Sequence, residues 1–365
     1  MAILWADGFE WLAPGTTPSS SPTLETLFDE KYGAGFNDLD NSDADVFSTP
    51  GPGNAIKFGD DAGERIQIDL GRTSAGKVDR GERFWVSFRA KIYSSGSSNP
   101  IISFISTTSN TSGDLNINNL GDWRFDRLGS SNVARFNPLN FVFGQWVHIE
   151  VQFVNGNASD TPNNGEVVIR VDGVEYVNET GIDTYNFGTG IDRIRLNNLG
   201  VSGDTGYEIR DLIVNDDTGS IANTWIGIQK HVFGLLPNAN GTNRDWTLST
   251  GTDDFAVIDE VNRDSTDYIE SSTSTETTTC GLEATGSETG VLAVTVQTNH
   301  LLDSAGSEDI QHVVRHSASE ANSASITVDS TAEDARMSIF ETNPSTGVAW
   351  TAAEIDAMEA GVEYV

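Results

Sequence analysis

Carboxylates are the most abundant groups in this sequence that could do chemistry. The chain has 54 Asp and Glu residues against 21 Lys and Arg residues, a formal net charge of −33. Cleavage of a glycosidic bond requires two carboxyl groups that flank the bond. The acidic runs Asp253-Asp254, Asp259-Glu260 and Glu308-Asp309 lie in turn-rich segments or at strand ends, and no strand reads Glu-x-Asp-x-x-Glu. The sequence therefore predicts no catalytic pair, and we expect that the chain is not an enzyme.

The histidines and the cysteine are not spaced for catalysis or for metal binding. His312 and His316 are four residues apart, as zinc ligands on a helix would be, but their segment alternates like a strand. His148 is interpreted as a packed residue of a sandwich. Cys280 is the only cysteine, which excludes an intrachain disulfide, and we interpret it as small, inert and partly buried.

The elements that must position these groups are short strands. Residues 65–70 and 84–92 alternate polar and apolar side chains, and clusters of Ser, Asn and Gly separate such runs. Regular strand spacing without helical periodicity favours an all-β sandwich or jelly roll. The strongly acidic balance argues against nucleic-acid binding, and no stretch is long enough to insert in a membrane as a helix. A marine or halophilic source would also explain the acidic, Lys-poor composition, with ordinary solubility as the alternative.

One pair of segments carries most of the information about the fold. Residues 144–153 alternate over ten positions, and residues 165–175 follow them with the turn dipeptide Asp172-Gly173. This pattern of Trp-x-His followed by Val-Asp-Gly-Val resembles the concanavalin A-like, laminin-G-type jelly roll. The resemblance implies that the two segments are neighbouring strands, and that a closing strand at 207–214 pairs with an opening strand at 7–10.

We therefore predict an all-β chain with an N-terminal lectin-like jelly-roll sandwich and a smaller β-rich domain. The expected boundaries are residues 1–215 for the sandwich, 216–230 for a linker and 231–365 for the second domain. That domain should end in a short helix at about 351–360. Thr351 would cap it, Glu354 would complete a capping box, and Gly361 would end it.

Ligand sites in such a sandwich would be formed by its loops and its aromatic rings. Laminin-G-like domains hold Ca²⁺ near one rim, and the resemblance makes Asp160, Asn163 and Asn164 candidate ligands, with 38–43 as a second acidic stretch. Turn chemistry alone also explains Asp and Asn in loops. An exposed aromatic ring could stack on a sugar, although most Trp residues in a sandwich are core. The candidate rings are Trp5, Trp11, Trp123 and Tyr185.

Two further stretches extend the resemblance beyond the sandwich. Residues 235–247 and 350–362 resemble a group of accessory virion proteins of tailed bacteriophages, which attach to the head or the tail. The resemblance implies a structural subunit of the virion, assembled in the host cytoplasm and bound to capsid or tail proteins as a homo-oligomer or symmetric array. The sandwich would then be displayed outward, where it could attach to a host-surface glycan. The absence of a signal-peptide pattern at the N-terminus agrees with this expectation.

Two alternatives remain open from the sequence. The chain could be a free-standing carbohydrate-binding adhesin, which a glycan array in the presence of calcium would detect. It could also be a glycoside hydrolase, because several hydrolase families share this jelly roll.

Overall fold

The computed structural model describes most of the chain, and the chain divides into two compact units, Met1–Phe233 and Gly234–Val365. The described residues are 3–7, 47–48, 54–58, 65–69, 78–79, 82–93, 99–106, 111–127, 130–154, 156, 164–182, 184, 190–197, 206–232, 234–259, 266–286, 290–329, 331 and 334–365. Residues 216–230, which the sequence analysis assigned to a linker, belong to unit 1. Within the described residues, no helix is long and apolar enough to cross a membrane.

The described part of unit 1 consists of strands joined by turns and loops. The strands are β1 (Ile3–Asp7), β2 (Phe47–Ser48), β3 (Asn54–Phe58), β4 (Arg65–Asp69), β5 (Val78–Asp79), β6 (Arg83–Ile92), β7 (Asn99–Ser106), β8 (Thr111–Ile117), β9 (Trp123–Arg127), β10 (Ser130–Phe136), β11 (Trp146–Val154), β12 (Gly165–Val171), β13 (Val174–Ile182), β14 (Gly190–Asn197) and β15 (Tyr207–Asp216).

These strands form two antiparallel sheets, as the predicted sandwich requires. Sheet I has the order β13-β12-β11-β6-β15-β3-β2, and β1 also pairs with β15. Sheet II has the order β10-β9-β8-β7-β14-β4, and β5 also pairs with β14. The pairing of β11 with β12 confirms the strand neighbours that the family resemblance implied. The closing strand β15 pairs with β1, which lies at Ile3–Asp7 rather than at the implied 7–10, and residues 8–10 lie outside the described residues. Asp172 and Gly173 form the tight turn between β12 and β13 with positive φ angles of 50° and 77°.

The core of unit 1 lies between the two sheets, because each strand alternates and buries one set of side chains. Phe84 and Phe153 of sheet I contact Phe104 of sheet II, with ring centroids 5.6 and 4.8 Å apart. Gly113 of β8 also faces this core, where a Cβ would lie 2.6 Å from the ring of Phe125. The close approach of the aromatic rings therefore requires glycine at this position.

A segment that follows β15 lies on the outer face of sheet I. We call residues 222–232 the strap. Asn215, at the end of β15, donates from Nδ2 to the carbonyls of Ala222 and Thr224 at 2.6 and 2.9 Å. The strap is irregular in structure, and it is held to the sheet by side chains of the sheet.

Unit 2 is a second β unit with a core of its own. Its strands are β16 (Pro237–Arg244), β17 (Thr247–Leu248), β18 (Ile269–Glu270), β19 (Thr277–Leu282), β20 (Val294–His300), β21 (Glu308–His316), β22 (Ser319–Asn322), β23 (Ile326–Val328), β24 (Asp334–Phe340) and β25 (Met358–Tyr364), with a 3₁₀ turn at Phe255–Val257 and helix α1 at Ala352–Ile355. The main sheet has the order β16-β19-β25-β21-β22, with β23 on β21. Trp350, Ile355 and Met358 pack in its core cluster with Val296, Val314 and Phe340.

The C-terminal helix is confirmed, but it is shorter than predicted. The capping box of Thr351 and Glu354 is present, and the helix ends at Ile355 rather than near residue 360. Residues from Met358 form β25, which pairs with both β19 and β21. Gly361 is therefore not a helix cap. It lies in the sheet, where a Cβ would be 1.9 Å from the carbonyl oxygen of Thr278.

Candidate functional site

A row of polar side chains crosses five adjacent strands on the outer face of sheet II. The members lie directly opposite one another from strand to strand. Their sequence neighbours, such as Ile68, Phe104 and Leu115, have no exposed surface and fill the core. Alternation along each strand therefore directs the polar set outward. We call this set the carboxylate row, and it consists of Gln67, Arg195, Ser103, Asp114 and Asp126.

Two carboxyl groups lie side by side in the carboxylate row. Asp114 of β8 is directly opposite Asp126 of β9, and in such a pair the Cβ atoms are about 5 Å apart. Asp126 accepts from Arg124 at 2.5 Å and from Asn116 Nδ2 at 3.1 Å. Oδ1 of Asp114 is buried and has no hydrogen-bond partner within the described part of the chain. The two carboxyl groups thus have different surroundings.

The surroundings of Asp114 change its acidity. The pKa of Asp114 is raised to about 6, mainly by burial, and the neighbouring charge of Asp126 acts in the same direction. A hydrogen bond with Ser103 and the charges of Arg195 and Arg124 act in the opposite direction, but burial is the largest cause. A carboxyl group with a pKa near 6 is a weak acid that is partly protonated near neutral pH. It can therefore donate a hydrogen bond or a proton as well as accept one.

The row combines donors and acceptors at strand spacing. Arg195 donates to Oε1 of Gln67 from Nη2 at 3.0 Å. Gln67, Ser103 and Asn116 are 2%, 4% and 5% exposed, whereas the side chains of Arg124 and Asp126 retain 27% and 15% exposure. Such a set of charged and amide groups matches the hydroxyl groups of a saccharide. A carboxyl group of raised pKa beside an ionised carboxylate is also the pairing used for acid–base chemistry on a glycosidic bond.

The outer face of sheet I carries a second polar cluster, which is fully buried. His148 and Glu150 of β11 and Ser87 of β6 are each 2–3% exposed. Nε2 of His148 lies 2.9 Å from the hydroxyl of Ser87, and its Nδ1 lies 4.0 Å from Oε2 of Glu150. Burial lowers the pKa of His148 to about 3, with the charge of Arg89 as the next cause. His148 is therefore neutral at physiological pH.

The strap covers this face and satisfies its charged groups. The backbone N–H of Gly227 donates to Oε1 of Glu150 at 2.8 Å, and Arg89 donates to the carbonyl of Ile228. Asp211 accepts from the backbone of Val232 at 2.9 Å and contacts His231 at 3.1 Å.

The position of Asp211 and the packing of Trp225 explain why the strap lies there. Asp211 has a φ of 55° within a bulge of β15, which directs its carboxylate to the strap and to Arg89. The ring of Trp225 lies under the guanidinium of Arg170 at 3.9 Å and meets Trp85 edge-on. The outer face of sheet I is therefore occupied by the chain itself.

The two predicted sugar-stacking rings that the structure describes, Trp5 and Trp123, do not present exposed faces. Trp123 has no exposed surface, and Trp5 is 6% exposed, because both rings point into the sandwich. They pack as core residues, which leaves no ring face for a pyranose. Trp11 and Tyr185 lie outside the described residues.

The predicted calcium site is largely outside the described part of the chain. Asp160 and Asn163 are not described, and Asn164 is an exposed residue just before β12. Among the described residues there is no group of three or more His, Cys, Asp or Glu residues that could hold a metal ion. Calcium binding therefore stays a prediction.

The structure also tests the interpretations of His312 and Cys280. His312 lies on a strand, as predicted, and is buried between the hydroxyls of Thr298 and Ser338 at 2.7 and 2.8 Å. Cys280 is 2% exposed, and burial raises the pKa of its thiol to about 12, which agrees with an inert residue. The carboxylate pair of Asp114 and Asp126 was missed, because its members are twelve residues apart and meet only through the register of β8 and β9.

Comparisons with known proteins were made for the whole chain. No family model matches it, and no curated protein matches it. Among solved structures, the chain is similar to an endo-β-1,4-glucuronan lyase from the fungus Trichoderma reesei, with 16% identity, a TM-score of 0.33, and coverage of 44% of this chain and 80% of the lyase. The alginate lyase Aly36B matches with 13% identity, a TM-score of 0.33, and coverage of 52% and 91%. A Trypanosoma rangeli sialidase matches with 13% identity, a TM-score of 0.33, and coverage of 47% and 26%.

The structure corrects one prediction of the sequence analysis. We expected that the chain is not an enzyme, on the grounds that no two carboxyl groups face a common point. Asp114 and Asp126 lie directly opposite each other on β8 and β9, so those grounds do not hold.

Proposed function

We propose that unit 1 engages a saccharide at the carboxylate row. The observation that carries this proposal is the run of polar side chains that lie directly opposite one another across five strands, with Asp114 in the row. Oδ1 of Asp114 is buried without a hydrogen-bond partner among the described residues. A buried acceptor of this kind is unfavourable unless a ligand or water completes its hydrogen bonds. Saccharide hydroxyls would do so.

The test is a polysaccharide-binding panel with matched variants of the full chain. Asp114→Asn keeps the shape of the side chain and removes its charge and its acidity. Asp217→Asn makes the same change at an exposed position after β15. We expect Asp114→Asn to weaken binding of the saccharide that the parent chain retains, and Asp217→Asn to leave it unchanged. If no saccharide binds, or if both variants bind like the parent, the proposal is wrong.

A specific observation favours a second activity at the same place, cleavage of a glycosidic bond. Asp114, with its pKa raised to about 6, would protonate the leaving oxygen as its bond to the anomeric carbon breaks. Ionised Asp126 would attack the anomeric carbon in its place, and water would then release the sugar from Asp126. Appearance of new reducing ends from a bound polysaccharide, lost in Asp126→Asn, would support this activity.

We also propose that the chain acts as an accessory subunit of a tailed-bacteriophage virion, on the head or the tail. The sequence resemblance of residues 235–247 and 350–362 supports this role. In the structure the first stretch contains β16 and the second contains α1 and the first residues of β25, all in unit 2. The expected partners are capsid or tail proteins, in a symmetric array. Mass spectrometry of purified particles and immunolabelling in negative stain should find the protein on the virion, and its absence from particles would exclude the role.

A further inference from the structure

Two exposed aliphatic side chains line a cavity at the turns beside β9 and β10. Leu120 is 78% exposed, and Val142 is 56% exposed. The cavity has a volume of about 420 Å³ and lies between the β8–β9 turn and the segment that connects β10 to β11. Large apolar side chains exposed together mark an interaction site more often than single ones do. The carboxylate row does not use these residues.

The floor of the cavity is aromatic and is held rigidly. The ring of Phe141 meets the buried ring of Trp123 edge-on, with centroids 5.3 Å apart, and meets Phe143 at 5.2 Å. In the β8–β9 turn, Oδ1 of Asn118 accepts from the backbone N–H groups of Leu120 and Asp122, both at 2.9 Å. A rigid aromatic floor loses little entropy when a ligand packs on it.

The rim carries amides and no charge. The residues that line the cavity are Leu120, Gly121, Asn137, Pro138, Phe141, Val142 and Phe143, all uncharged. Asn137 and Asn140 are exposed beside it, and each amide offers both a donor and an acceptor. In a chain with a net charge of −33, an uncharged aromatic cavity with an amide rim selects an uncharged ligand that has an apolar face and hydroxyl edges.

We propose that this cavity is a second saccharide subsite, which takes the apolar face of an uncharged pyranose on Phe141. The proposal rests on the proposed function, since it names the saccharide class that unit 1 engages, but it uses different residues. Asn140 is exposed beside the lining segment and has a φ of 67°, so Asn140→Gly removes its amide without backbone strain. Val142→Asp places a charge on the rim, and Phe141→Ala removes the floor.

The experiment is calorimetric titration of the full chain with uncharged gluco-, manno- and galacto-configured hexaoses, and with an alginate hexamer as the charged probe. We expect one uncharged hexaose to bind, and its affinity to fall about tenfold or more in Val142→Asp and in Phe141→Ala and by less in Asn140→Gly. The control is Val174→Asp, which changes another exposed valine, at the β12–β13 turn, and should bind like the parent.

The outcomes separate this inference from the proposed function. If no uncharged hexaose binds, or if Val142→Asp and Asn140→Gly both bind like the parent, the subsite is excluded. Binding that is lost in Asp114→Asn but not in the cavity variants would exclude the subsite and leave the carboxylate row supported. If Val142→Asp changes the oligomeric state in size-exclusion chromatography and leaves hexaose affinity unchanged, the cavity is a protein interface and the inference is wrong.

Discussion

The two outward faces of the unit 1 sandwich carry polar side chains at the same strand spacing, but they differ in what satisfies those side chains. On sheet I, Glu150, Asp211 and Arg89 are bonded to backbone groups of the strap. On sheet II, Asp114 keeps a buried oxygen without a partner among the described residues, next to a second carboxylate. Carboxylates that are bonded to the strap hold that segment on the sheet, whereas a buried carboxylate oxygen without a partner stores free energy that a ligand can release. This difference is why we assign ligand binding to sheet II.

The largest loss of stability should come from removing the contacts that hold the strap on sheet I. Asp211→Ala removes the partner of Arg89, of His231 and of the backbone N–H of Val232 at once. Because it leaves a buried arginine without its carboxylate, we expect a loss of about 3–5 kcal/mol in the free energy of unfolding of unit 1. Urea unfolding followed by circular dichroism measures it. A loss below 1 kcal/mol would mean that the contacts of Asp211 do not hold the strap on sheet I.

The pH dependence of stability should also differ between the faces. His148 has a pKa lowered from 6.5 to about 3, so the unfolded chain takes up its proton first as pH falls. The stability from neutral His148 is therefore present above pH 6.5 and is lost as the pH falls toward 3, by about 3 kcal/mol between pH 7 and pH 4. In His148→Gln this contribution should disappear. The comparison must be between variant and parent, because His312 in unit 2 also has a pKa lowered to about 3. Equal pH profiles in the two chains would contradict the expectation.

The contribution of Asp114 to stability should change with pH in the opposite direction to that of His148. Its pKa is raised from 3.8 to about 6, so the folded chain holds the proton more tightly and loses stability as the pH rises through this range. At pH 7.5 the ionised carboxyl costs about 3 kcal/mol, and Asp114→Asn should recover it. A residue whose replacement stabilises the fold and weakens binding is typical of a functional site. Thermal unfolding of the two chains at pH 4 and pH 7.5 tests this. If the variant is less stable at pH 7.5, the account of Asp114 is wrong.

The smallest effect should come from the aromatic contact of the strap. Trp225→Ala removes the cation–π contact with Arg170 and the edge contact with Trp85. Since Trp225 is only half-buried, we expect a loss of about 1–2 kcal/mol. Hydrogen exchange of the amides of Gly227 and Val232 should increase in this variant, while amides of β8 and β9 should keep their protection. Equal exchange at the strap amides would show that Trp225 does not hold the strap.

The sequence predicted the architecture well because alternation and turn chemistry are local signals. The pairing of β11 with β12 was implied by the family resemblance that Trp146, His148 and Asp172-Gly173 carry. The predicted helix extended too far because Met358 and Ala360 also suit a helix and Gly361 suits its end, and only the pairing of β25 with two neighbours decides for a strand.

The candidate site could be predicted only in part, since it depends on register. Asp114-Leu115-Asn116 and Arg124-Phe125-Asp126 alternate, and the Asn-rich turn between them signals a hairpin. Those signals place both carboxylates on one strand pair. They do not place Gln67 and Arg195 beside them, because those residues come from β4 and β14, which are distant in sequence from β8 and β9. Residues 222–230 of the strap were assigned to a linker for the same reason, since the contacts of the strap with Glu150 and Arg89 are long-range.

The most direct test of the central claim is a side-by-side titration of one saccharide against three chains, the parent, Asp114→Asn and Trp225→Ala. If the carboxylate row engages the saccharide, Asp114→Asn should bind about tenfold more weakly or worse, and Trp225→Ala should bind like the parent. If Trp225→Ala changes the affinity and Asp114→Asn does not, the ligand is engaged at the strapped face, and the assignment of binding to sheet II is wrong.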